Sequence, residues 1–217
     1  MSSDTGEFWN TGINERKTIL EWVIRDSQNQ IGVLAHVSSL STSVSLDLAQ
    51  HAARHGARGA VLMPPYYGKI TDEEVIGFVT VIANYADLEI ILVDPMHRLS
   101  DEMELHLKDV PGVTIAQSLR TTAFADAAAS DRTASDDFAV GDAWVSTTAL
   151  MLPQLPAQGA PSPAVKALAG FVRQLGGAKV AKAAFNCLDF EVGQLRGPQN
   201  TVQGHDLELL NKVMATV

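Results

Sequence analysis

Along the first two-thirds of the chain, stretches with apolar residues every three or four positions alternate with short continuous apolar runs. That is the rhythm of repeated βα units around a parallel sheet. Ile19, Leu20, Val23 and Ile24 fall on one face of a predicted helix that Asn14 would cap. Ile31 to Val37 reads as a buried strand, its continuous apolar character fitting a parallel strand covered on both faces. Ser43 to His55 has the helical period, with Val44, Leu46, Leu48 and Ala52 inward and Gly56 as the stop, and Ala60 to Met63 follows as a strand ended by Pro64 and Pro65. Thr71 with Glu74 forms the signature of a capping box for a helix through Val75, Phe78, Val79 and Ile82. Leu88 to Val93 is the next strand, Leu99 to Lys108 a helix, and Val113 to Gln117 a strand.

Beyond this the pattern changes. Thr122 to Arg132 is an alanine-rich helix, and the strand-like runs Phe138–Val140 and Val145–Ala149 stand too close together for a crossover helix, which needs at least about ten residues. The proline-bearing stretch Leu152 to Pro163 reads as a loop. Helices are expected over 164–175, 178–188 and 206–213, with a turn-rich link at Leu195 to Gln199.

Composition narrows the function classes. A formal net charge of −9 repels phosphate backbones and anionic lipid, so neither nucleic acid nor membrane is an expected partner. No apolar run approaches the roughly 20 residues that span a bilayer. Residues Met1 to Glu7 lack the basic-then-apolar pattern of a secretion leader, and the single Cys187 has no intrachain disulfide partner. A cytoplasmic location is the expectation. The six histidines are scattered at 36, 51, 55, 97, 106 and 205. Of these, His51 and His55 have the i, i+4 spacing of a helical metal pair, but no carboxylate third ligand is specified nearby, so they read as a solvated helix face and no metal is expected. Gly-x-Gly-x-x-Gly, Walker and Gly-x-Ser-x-Gly patterns are absent, which leaves hydride transfer, phosphoryl transfer and serine-nucleophile chemistry without support.

Several short segments occur in a telling order: Asp4-Thr-Gly-Glu7, Asn14-Glu-Arg-Lys17, Pro65-Tyr-Tyr-Gly-Lys69, Leu88-Glu-Ile-Ile-Leu-Val93, Pro111-Gly-Val-Thr-Ile115, and Ser146-Thr-Thr-Ala149 followed by Leu152-Pro153. Together they resemble the dihydrodipicolinate synthase / N-acetylneuraminate lyase family, most closely over residues 4 to 118. The resemblance implies an α/β fold, an incomplete TIM-type (β/α) barrel that lacks the first βα unit and the seventh crossover helix. It places the partial barrel in residues 1–156 and a C-terminal helical segment packed on it in 157–217. Six or seven strands would leave sheet edges unpaired, and with family members commonly dimers or tetramers, a homo-oligomer is expected. Ile19, Leu20 and Val23 are the expected apolar flank of that association.

The same resemblance implies the chemistry. Family members form a Schiff base between a 2-keto acid and a lysine at the end of the sixth strand. That position falls on Gln117, and no lysine occurs between Lys108 and Lys166. The family's proton-shuttling tyrosine at the end of the fifth strand corresponds to Val93, followed by Asp94. What the resemblance retains is a carboxylate cradle at Thr5 and Gly6, with Gln117 beside it, and Tyr67, whose counterpart completes a proton relay. Thr5-Gly6-Glu7 reads equally well as a turn entering a helix, and Tyr67 as a packing residue. Glu7 with Lys69 reads as a surface ion pair. The leading expectation is a family relative without Schiff-base activity and without a cofactor, which binds a small carboxylate or 2-keto acid or associates with itself. The alternative is an active lyase or hydratase that uses Tyr67, Asp94 and His97 as acid–base residues.

Overall fold

The computed structural model describes residues 6–94, 99–115 and 163–216, in two compact units. The first runs from Thr11 through the described residues up to 115. Its elements alternate strictly: α1 (Ile13–Ser27), β1 (Leu34–His36), α2 (Thr42–His55), β2 (Gly59–Leu62), α3 (Asp72–Tyr85), β3 (Ile90–Leu92), α4 (Asp101–Lys108) and β4 (Val113–Ile115). The four strands form one parallel sheet in the order β1-β2-β3-β4, so each βα unit lays its strand beside the last. Ala35 pairs with Ala60, Val61 with Ile91, and Ile91 with Thr114. This is the parallel α/β arrangement expected of an incomplete barrel.

The central strands are apolar because both faces are covered. Ala60, Leu62, Ile90 and Leu92 are fully buried and pack with Leu48, Ala49, Ala52, Phe78, Val79 and Ile82 from the helices. Punctuation follows the local chemistry. Thr71 Oγ1 accepts the Glu74 N–H at 3.3 Å while Glu74 Oε2 accepts the Thr71 N–H at 2.7 Å, closing the capping box. Gly56 ends α2 at φ +88°, a conformation that costs a side chain little only when there is none.

Three expectations change. Asn14 lies inside α1; Gly12 is the N-cap, without a side-chain cap bond. The strand expected from Ile31 starts only at Leu34, and Ile31 is 67% exposed. The apolar flank proposed for association is turned inward: Leu20 is buried and Val23 packs against the core, because the same 3.6-residue period that makes them a face aims that face at the sheet.

Among the described residues, the second unit joins the short 3₁₀ segment Phe8–Asn10 to three helices, α5 (Pro163–Leu175), α6 (Gly177–Cys187) and α7 (Gly204–Met214). Leu168, Val180, Ala184, Leu210 and Met214 form its core. These are the three helices read from the pattern, to within about two residues at each end. The expected elements at 122–132, 138–140 and 145–149, and the strand's continuation to Gln117, lie outside the described residues.

Candidate active site

In parallel sheets of this kind the chemistry gathers where the strands end at their carboxyl side. Here that edge carries Ser38 after β1, Met63 after β2 and Val93-Asp94 after β3. The sheet hydrogen bonding runs past the regular strands, with the Val37 N–H on the Val61 carbonyl at 2.8 Å and the Val93 N–H on the Leu62 carbonyl at 2.9 Å. At the next step a side chain replaces a backbone acceptor: Ser38 Oγ takes the Met63 N–H at 2.8 Å. With its oxygen so occupied, the Ser38 hydroxyl proton is available to His36 Nε2, 3.4 Å away.

Arg16, on α1, reaches this edge. Its Nη2 donates to the His36 carbonyl at 2.5 Å and its Nη1 to the Ser38 carbonyl at 3.1 Å. These are the carbonyls at the end of β1, and the guanidinium fork satisfies both. Burial pulls the Arg16 pKa from 12.5 down to about 10, with Tyr66 acting in the opposite direction, so the group stays cationic at neutral pH. His36 is buried, and desolvation first, then the Arg16 charge, hold its pKa well below 6.5. The edge therefore presents a fixed positive charge beside a neutral imidazole and a hydroxyl.

Asp94 stands at the end of β3. Its Oδ2 accepts the Leu99 N–H at 2.8 Å, whereas its buried Oδ1 has no hydrogen-bond partner among the described residues. Val93 beside it is 3% exposed. Tyr67 follows β2 in the Pro65–Lys69 loop and is 80% exposed, with its ring in solvent. Gly6 lies in an exposed turn of the second unit. Thr5, His97 and Gln117 lie outside the described residues.

Arg16, His36 and Ser38 were not singled out from the sequence, although a signal existed. Arg16 precedes Leu20, Val23 and Ile24 by four, seven and eight residues, which puts a charge on the buried face of α1. His36 is a lone imidazole in an otherwise apolar strand.

The second unit holds a cavity of about 360 Å³ lined by Lys182, Asn186, Cys187, Gln194, Thr201 and Asn211, among others. Its nucleophiles are poorly disposed. Burial pushes the Cys187 thiol up, away from the reactive thiolate. Lys182 Nζ is 2.6 Å from Glu7 Oε2 and donates to the Gln194 carbonyl at 2.8 Å, so it serves as a structural cation. Glu7 thus pairs with Lys182 in its own unit, where the sequence suggested Lys69.

Residues 1–107 match the dihydrodipicolinate synthetase family. The chain is 33% identical over 121 residues to 4-hydroxy-tetrahydrodipicolinate synthase of Bradyrhizobium diazoefficiens, a stretch covering 50% of this chain and 39% of that protein. It thus spans well under half the length of this curated relative. Solved structures extend the likeness in fold. Dihydrodipicolinate synthase from Agrobacterium tumefaciens superposes with a TM-score of 0.77 at 18% identity, covering 98% of this chain and 84% of that one. Proteus mirabilis N-acetylneuraminate lyase does so with a TM-score of 0.70 at 18% identity, covering 99% and 84%. By its residues 1–107, with their βα order and the motifs they carry, the chain is similar to the dihydrodipicolinate synthetase family.

Proposed function

We propose that this dihydrodipicolinate synthase-like protein carries out no Schiff-base aldol chemistry and instead holds a small carboxylate at the carboxyl edge of its sheet. The observation that carries this reading is Val93: an apolar side chain, 3% exposed, closes β3 where the family resemblance calls for a phenol that moves protons. Gln117, in place of the nucleophilic lysine, points the same way. The Arg16 charge and the Ser38 hydroxyl favour an anion at this edge. Self-association belongs to the same reading, and the exposed Trp22 and Tyr85 of the first unit suit it. Light scattering over a dilution series reads it directly.

The main test is incubation with pyruvate and borohydride. The protein mass stays unchanged, while pyruvate titrated without reductant binds saturably and more weakly to Ser38→Ala. A stoichiometric reduced adduct on any residue overturns the proposal.

One observation favours a second reading, a lyase or hydratase that works through Asp94, His97 and Tyr67 without a covalent lysine. The Asp94 Oδ1 at a strand's carboxyl end, without a hydrogen-bond partner among the described residues, supports this reading as a proton acceptor. Turnover of a 2-keto acid that Asp94→Asn abolishes, with no borohydride adduct, would favour it over the first.

A further inference from the structure

Helices α1 and α2 bring together a constellation that the family chemistry does not use. His51 and His55 sit one turn apart on α2, and Glu21 reaches them from α1. Glu21 Oε1 lies 3.1 Å from His51 Nε2 and 3.8 Å from His55 Nε2, and the three ligating atoms all fall within 4.8 Å of one another. We propose that Glu21, His51 and His55 form a binding site for a divalent first-row transition ion, zinc being the ion whose chemistry suits it best.

The arrangement of protons supports this. His55 Nδ1 is 2.9 Å from the His51 carbonyl, an acceptor only, so Nδ1 carries a hydrogen and Nε2 is the ring nitrogen left to face Glu21. His51 is 8% exposed, and its buried Nε2 has no hydrogen-bond partner among the described residues: the Glu21 oxygen is near enough, but not in a hydrogen-bonding direction. Three potential ligand atoms thus converge on one point, and the nearest two, Glu21 Oε1 and His51 Nε2, have no aligned hydrogen bond between them. A cation gives all three a common partner. The expectation of a wholly solvated helix face holds for His55, at 40% side-chain exposure, and fails for His51.

Geometry and charge agree. Zinc bound to nitrogen and oxygen at about 2.0–2.1 Å places tetrahedral ligand atoms roughly 3.3 Å apart. The two Glu21 distances bracket that value, and a small rotation of the imidazoles, whose centroids are 4.1 Å apart, brings in the third. Lys17 and Arg54 are the cations near the ligands. The Lys17 charge is itself engaged by Asp47 at 2.6 Å, a bridge that also ties α1 to α2 beside the ligands. Two histidines and one carboxylate leave a fourth position for water, and a bound ion would clamp the two helices that cover β1.

The test uses the untagged full chain stripped of metal. Calorimetric titration with zinc is expected to show one equivalent bound, with cobalt giving the absorption of a tetrahedral site. Glu21→Gln and His55→Ala, both on partly exposed side chains and expected to fold, each weaken binding at least about tenfold. His205→Ala, in the second unit, leaves it unchanged. Two results overturn the proposal: no stoichiometric zinc binding, which would make the cluster a histidine–carboxylate pair, or binding that Glu21→Gln and His55→Ala leave within twofold of wild type, which would place the ion elsewhere.

Discussion

Glu7 Oε2 lies 2.6 Å from Lys182 Nζ, and Glu7 Oε1 accepts the Arg196 N–H at 2.9 Å, so one nearly buried carboxylate fastens the amino-terminal segment of the second unit to α6 and to the link that follows it. Removing one partner of such a pair strands the other's charge in poor solvent. Lys182→Met is expected to destabilise the protein by about 3 kcal/mol in urea denaturation, the low end for a buried pair because Lys182 keeps some exposure. A loss below about 0.5 kcal/mol would class the pair with exposed ones.

The same carboxylate sets an acid limit. Burial alone would raise the Glu7 pKa, but the Lys182 hydrogen bond, the Arg196 N–H and the two positive charges outweigh it and hold the group below 4.5. A depressed folded-state pKa contributes stability that is complete above 4.5 and is lost as pH falls through the folded value. Stability measured against pH should fall more gently below 4.5 in Glu7→Gln than in wild type; parallel curves would contradict the assignment.

His36 acts at a higher pH. Its folded pKa is well below 6.5 while the unfolded ring protonates near 6.5, so the unfolded chain binds the extra proton and stability declines as pH drops below that value. In the folded protein the His36 ring resonances should show no titration step around pH 6.5. A normal step there would mean that the ring is not held neutral by burial.

Ser38→Ala removes the acceptor of the buried Met63 N–H and the hydroxyl that faces His36. Leaving such a donor unsatisfied costs about 1–3 kcal/mol. Denaturation midpoints read the loss, and because the serine lies on the strand edge proposed to hold the carboxylate, pyruvate binding should weaken with it.

Gln117→Lys alone is expected to yield no aldolase. Val93 still offers no phenolic proton carrier, and acid–base assistance is typically worth about 10² to 10⁴ in rate. Appreciable turnover of pyruvate by that single variant would show that a proton relay is supplied from elsewhere, and Asp94→Asn in the same background would identify it.

The βα order, the capping box at Thr71 and Glu74, the stop at Gly56 and the three terminal helices were legible in the chain because each rests on neighbours within one helical turn or on a strand's own apolar run. The family resemblance followed from short motifs in order, and the doubt about Schiff-base chemistry from residue types alone. Tertiary structure decided what meets across elements. Nothing in the spacing of residues 16, 36 and 38 says that a guanidinium on α1 caps the end of β1, nor that Glu21 crosses to His51 and His55, nor that Glu7 pairs with Lys182 across 175 residues of chain. Periodicity tells which face of a helix is buried, but the partner it is buried against depends on the order and register of the sheet, and it is there that the desolvated charges find their counterparts.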